Sequence, residues 1–124
     1  VSETADFGGE LDRLVAEWLS LPDVADRLDV PVTRVRQLLA ERRLAAVRRG
    51  PNAALAVPAP FLDAEGIVKG LAGTLTLLHD CGYTDGEAIR WLFRDDPSLP
   101  GSPIQGLREG RGKEVKRRAQ ALGF

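Results

Sequence analysis

In the stretch VPVTRVRQLLAERRL, residues 30–44, the donor-rich side chains Thr33, Arg34, Arg36 and Gln37 crowd together. Arginine offers a planar fork of donors that matches the O6 and N7 edge of guanine, and glutamine offers the donor–acceptor pair that matches adenine. A threonine at a helix start sits beside backbone N–H groups without intrahelical partners and suits a phosphate oxygen. Arg42 and Arg43 close the run, and Arg48 and Arg49 follow shortly after. These four supply positive charge for a phosphate backbone. The chemistry implied is recognition of double-stranded DNA.

Such side chains act only if the local elements aim them. Ser20 precedes LPDVADRL, with Pro22 at a helix-opening position and Asp23 in the first turn. Val24, Ala25 and Leu28 then share one face. Pro31 disfavours the α conformation at Val30 and breaks the run. A second helix is expected over about Val32–Arg42, with Val35, Leu38 and Leu39 inward and the four donor residues outward. Two short apolar runs between Leu44 and Pro58 flank Gly50-Pro51-Asn52, which predicts a β-hairpin whose first strand ends in Arg48-Arg49. Alternate strand residues face opposite ways, so one of these two arginines points at DNA. Helix, tight turn, helix and hairpin in this order form a winged helix-turn-helix.

The net charge of −1 conceals a pattern. Val1–Glu17 has one basic and five acidic groups, Trp18–Leu62 seven and four, Asp63–Gly106 three and seven, and Leu107–Phe124 six and two. Two basic blocks alternate with two acidic ones, so a basic face coexists with near neutrality.

Elsewhere the chain reads as helical. Residues 1–9 form a polar, acidic leader, expected to be flexible. From Glu10, Leu11, Leu14, Val15, Trp18 and Leu19 fall at helical spacing. Asp63 can cap a helix carrying Ile67, Val68, Leu71, Leu75 and Leu78, ended by Gly82. Thr84 to Glu87 has the spacing of a capping box, and Asp95-Asp96-Pro97 stops the helix it opens. Ser102-Pro103 can start a short helix. A last helix over about Gly112–Leu122 places Val115, Ala119 and Leu122 inward and leaves Lys113, Lys116 and Arg117 outside. Three segments result: a leader at 1–9, the winged helix-turn-helix at 10–62 and a helical C-terminal domain at 63–124. The fold class is mainly α, a winged helix-turn-helix with a short β-hairpin wing followed by a helical C-terminal bundle.

Other functions fare worse. The single histidine, His79, and the single cysteine, Cys81, cannot build a metal site, and a spacing of two on a helix does not face them for nucleophilic chemistry. Asp95 and Asp96 read as helix-stopping residues. No Gly-rich phosphate loop sits in a βαβ context. Neither an enzyme, a cofactor nor a metal is expected. No apolar run reaches the roughly 20 residues of a membrane span, and no signal-peptide pattern is visible. A lone cysteine fits a reducing compartment, and the expected location is the cytoplasm.

LSLPDVADRLDVPVTRVRQLLAERRLAAVRRG resembles the winged-helix domain of MerR-like and excisionase-like proteins. Asp29 stands where such turns often have glycine, and aspartate tolerates the left-handed conformation. Pro31 replaces the usual Ser or Thr cap, which moves the expected helix start to about Thr33. With GLAGTLTLLHDCGYTDGEAIRWLFRDDPSL and EVKRRAQAL, the chain from about Leu19 to Phe124 looks like a small actinobacterial family of winged helix-turn-helix DNA-binding proteins. That resemblance implies a transcription-factor-like or nucleoid-type DNA binder and a target of a Ser/Thr protein kinase, with Thr4 and Ser2 of the leader as candidate acceptors.

IRWLFRDDPSLPGSPIQGLREGRGKEV is also similar to the small C-terminal domain of a class of bacterial antitoxins, which mediates protein contacts. This sets up the alternative function, a protein-interaction module, antitoxin-like or an adaptor, with a partner or self-association through the C-terminal domain. Lys113, Lys116, Arg117 and Arg118 are further candidate phosphate contacts, provided the last helix folds back beside the wing.

Overall fold

The computed structural model describes residues 9–123, so Ser2 and Thr4 fall outside the described residues. Residues 9–14 form helix α1, which buries Leu11 and points Val15 inward just past its end. The helical spacing does not carry on to Leu19 as expected. Trp18–Ser20 is instead strand β1, antiparallel to a later strand with Leu19 opposite Val57. Leu19 is buried between a half-buried Trp18 and an exposed Ser20, the alternation of a strand. The pairing partner lies far along the chain, and this long-range ladder overrides the local period.

Helix α2 (Leu21–Leu28) starts where expected, with Ser20 Oγ accepting the Asp23 N–H at 3.2 Å. It ends at Asp29, which adopts φ 57° and ψ 49°. The Val30 N–H then reaches the Ala25 carbonyl and the Asp29 N–H the Asp26 carbonyl, which satisfies two terminal carbonyls. Helix α3 covers Val32–Ala40, with Pro31 at the N-cap in an extended conformation. Its start therefore lies one residue before Thr33. Strands β2 (Val47–Arg49) and β3 (Ala54–Pro58) form the expected hairpin, with Arg48 opposite Leu55 and Arg49 opposite Ala54. The three strands lie in the order β1-β3-β2.

After a 3₁₀ turn at Ala59–Phe61 comes a two-stranded ribbon, β4 (Leu62–Asp63) and β5 (Gly66–Ile67). Asp63 does not cap a helix here: its Oδ1 accepts the Glu65 N–H at 2.9 Å and shapes the ribbon's turn. Positive φ at Gly66 (121°) and Gly70 (89°) is incompatible with one continuous helix, and α4 begins only at Leu71, running to Asp80. Thr84 and Glu87 form the expected capping box at the head of α5 (Asp85–Phe93). Ser102 caps α6 (Pro103–Arg108), and α7 covers Gly112–Ala121. Leu122, expected inward, lies past the end of α7 and is 39% exposed.

Side chains from both halves share one buried core, including Val24, Val35 and Leu44 from the first and Leu71, Leu75, Ile89 and Val115 from the second. Polar contacts also cross between the halves, among them the pairs of Glu10 with Arg90 and Arg94 at 3.6 and 3.5 Å. Asp85 Oδ2 accepts the Ala46 N–H at 3.2 Å, and Arg108 Nη1 donates to the Pro60 and Leu62 carbonyls, each at 2.8 Å. His79 Nδ1 lies 2.9 Å from the Tyr83 carbonyl, and its Nε2 lies 3.1 Å from Asp85 Oδ1. No helix among the described residues is long and apolar enough to cross a membrane.

Candidate nucleic-acid interface

Val35 and Leu38 anchor α3 in the core, and that anchoring decides what the helix presents. At about 100° per residue, Thr33 and Gln37 stand near the centre of the outer face, one turn apart, with Arg36 and Arg34 on opposite flanks about 160° from each other. Thr33, Arg36 and Gln37 are exposed, and Arg34 is half-buried. The first turn of α3 contains no acidic residue and no side-chain cap. The Val32 and Thr33 N–H groups are among the helix-start donors without intrahelical acceptors, and the positive end of the helix dipole is left open to an anion.

The flanks differ in what they meet. Arg36 lines a groove between α3 and the wing, whose other walls include Val32, Pro22, Arg48 and Asn52. Arg34 leans away from that groove, with its Nη1 3.9 Å from Glu41 at the far end of the helix. The two arginines adjacent in pattern are therefore separated in space. Asn52, at the tip of the wing, is a groove residue outside the donor set read from sequence. Its signal is its place in the Gly-Pro-Asn turn.

Pairing in the sheet divides Arg48 from Arg49 as the strand alternation predicts. Arg48 is exposed on the groove side, and its Nη1 donates to the Ala53 carbonyl at 3.0 Å across the wing turn. Arg49 turns to the opposite face, where it stacks on the Trp18 ring and pairs with Asp12 of α1. Its charge is committed to the fold. Arg42 and Arg43 are exposed just past α3. Arg42 takes φ 60°, a conformation usually left to glycine, so that its N–H bonds the Leu39 carbonyl and the Arg43 N–H the Leu38 carbonyl. Left-handed residues thus bracket α3, Asp29 before it and Arg42 after it.

The second basic block does not join this surface as a unit. Helix α7 packs chiefly on α4 and α6. Lys113, Lys116 and Arg117 are exposed along one side of it. Arg118 projects from another side, where its charge helps hold the Asp96 carboxyl below its usual range, after the larger effect of the Ser98 hydrogen bonds.

Comparison with known proteins agrees with this architecture. Residues 10–62 match the family described as DNA-binding protein Rv2175c, wHTH domain. Residues 68–123 match the Rv2175c C-terminal domain of unknown function. The DNA-binding protein Rv2175c of Mycobacterium tuberculosis (strain ATCC 25618 / H37Rv) is 44% identical over 117 residues, covering 84% of this chain and 79% of that protein. The NMR structure of Rv2175c superposes with a TM-score of 0.78 at 40% identity, covering 87% of this chain and 82% of that one. The chain belongs to the Rv2175c family of winged helix-turn-helix proteins.

Proposed function

We propose that the protein binds double-stranded DNA by placing α3 in the major groove. Arg36 and Gln37 read base edges, Thr33 and the open N-terminal turn of α3 take a phosphate, and Arg48 lays the wing on the flanking backbone. Arg34, drawn toward Glu41, acts at the margin of the base-reading surface. Arg42 and Arg43 add phosphate charge. The observation that carries the reading is the shared groove of Arg36 and Arg48, which joins a base-reading residue to a backbone-gripping one across the helix and wing. The relative named above as a DNA-binding protein supports it.

On this reading the protein serves as a transcriptional regulator or a nucleoid-type protein. Phosphorylation of Thr4 or Ser2 by a Ser/Thr kinase would add negative charge to an already acidic leader and set it in competition with DNA for the basic surface. Fluorescence anisotropy with a labelled duplex tests the binding, and repeating it with Thr4→Glu at low salt tests the control. Unchanged affinity in that variant would remove the leader from the mechanism.

A second reading, a protein-contact surface on the C-terminal half, is favoured by the cleft that Tyr83, Trp91, Arg94, Pro97 and Pro103 line. An immobilised full chain that captures a partner, and loses it on Trp91→Ala with the fold intact, would support it.

A further inference from the structure

The C-terminal bundle holds a concave pocket between the start of α4 and the start of α7, lined by Lys69, Gly70, Leu107, Gly110, Lys113 and Lys116 together with Gly112. Its three charged walls are all lysine, and no carboxylate lines it. All three lysines are exposed. Like charges gathered around one hollow repel one another and are stabilised together by an anion placed between them.

The backbone reinforces this placement. A Cβ on Gly73, in the first turn of α4, would stand 3.0 Å from Lys116 Cε and 3.1 Å from its Nζ, so the Lys116 ammonium lies directly over that turn. That turn has no acidic residue. The helix dipole mildly disfavours a cation beside this first turn, and an anion bound there would be attracted by both. Gly70 closes the hollow from the other side: a Cβ there would meet Leu107 Cδ2 at 3.1 Å. Two acids are next in sequence to the lining, Glu109 and the exposed Glu114, and the first is engaged by neighbouring side chains. Glu109 is held below its usual carboxylate range by hydrogen bonds from Arg111 and then Gln105.

We infer that Lys69, Lys113 and Lys116 form an anion site for a phosphate-type oxyanion, separate from the α3–wing groove. A compact phosphomonoester or inorganic phosphate suits the hollow, because three point-charge ammonium groups can surround a tetrahedral oxyanion without demanding a planar, bidentate face. The same chemistry could be presented by a DNA backbone phosphate, and the test separates the two sources.

The experiment is a titration of the full chain with inorganic phosphate, followed by backbone amide NMR at ionic strength held constant with chloride. A second titration uses a short duplex. Saturable shifts centred on Gly70, Ala72, Gly73, Gly110 and Gly112 are expected with phosphate. They should weaken roughly tenfold or more in a Lys113→Gln/Lys116→Gln variant. Both lysines are exposed, so the variant should keep the native spectrum elsewhere, and Lys69→Gln gives an independent check. Shifts that do not saturate, or that chloride reproduces, or that persist in both variants, would overturn the site. Duplex shifts confined to α3 and the wing would leave the pocket to small phosphorylated ligands. Duplex shifts at the pocket with none from phosphate would overturn the small-oxyanion assignment and make these lysines part of the DNA footprint. The α3–wing shifts report DNA binding independently, so failure of one reading does not imply failure of the other.

Discussion

The Arg49 guanidinium lies 4.2 Å from the centroid of the Trp18 ring, on the side of the sheet opposite its neighbour Arg48. One step along β2 therefore separates an arginine used by the fold from an arginine offered to a ligand. Arg49→Ala should lower stability by about 0.5–2 kcal/mol through the lost ring contact while leaving the salt dependence of DNA binding nearly unchanged. Arg48→Ala should do the reverse, reducing the slope of log affinity against log salt by about 1 with little change in Tm. Thermal melts and salt-series anisotropy on both variants decide this. Equal effects from the two would contradict the division of roles.

The two arginines of α3 should also part company. Arg36→Ala should cost about 1–3 kcal/mol of affinity for a preferred site and relax its sequence preference. Arg34→Ala, on the flank that faces Glu41, should cost less. Competition binding against randomised duplexes would measure both, and a larger effect at Arg34 would require α3 to enter the groove on its other flank.

Asp85 joins the halves through the Ala46 N–H. Asp85→Ala strands that partly buried N–H and should destabilise the whole chain by about 1–3 kcal/mol in urea unfolding. Because the core is shared, the loss should appear as one cooperative transition and not as release of one half. A biphasic curve in the wild-type protein would contradict the shared core.

Arg42 holds the left-handed position after α3 at a conformational cost that glycine would not incur. Arg42→Gly should stabilise the fold by about 0.5–1 kcal/mol and weaken DNA binding, with a shallower salt slope. A thermal melt and a salt series on one sample report both. A variant that is less stable would show that the side chain, and not the backbone, governs this site.

The capping box predicts an acid response. The Thr84 backbone hydrogen bond, with the Thr84 hydroxyl, holds Glu87 below its usual value of 4.5. A depressed carboxyl stabilises the folded state above the unfolded value, and that contribution disappears as pH falls through the folded one. Between about pH 5 and 3, Glu87→Gln should flatten the loss of stability relative to wild type. Parallel acid-unfolding curves for the two proteins would remove the carboxylate from that response.

Features carried by local chemistry were legible in the sequence. Ser20, Thr84 with Glu87, and Ser102 each cap the helix their position implies, because a cap needs only neighbours within three residues. The wing was legible because Gly50-Pro51-Asn52 forces a turn between two apolar runs. Strand β1 was not, since Trp18 and Leu19 satisfy a helical period and only pairing with Val57 and Pro58 makes them a strand. Asp63 misled for a related reason: its side chain does cap a backbone N–H, but in a ribbon turn that Gly66 permits. At the candidate site the residue types were readable, whereas their division among faces depended on tertiary anchors. Trp18 withdraws Arg49, and Glu41 draws Arg34 aside. Lys69 escaped notice because it lies far in sequence from Lys113 and Lys116, and only the packing of α7 on α4 unites them.

The most direct test of the central claim is anisotropy of a labelled random-sequence duplex titrated with the full chain across a salt series, with Arg36→Ala/Arg48→Ala in parallel. Log affinity should fall linearly with log salt, with a slope of about 0.9 per phosphate engaged, and the double variant should bind markedly more weakly. No binding at low salt, or equal binding by the variant, would contradict the claim.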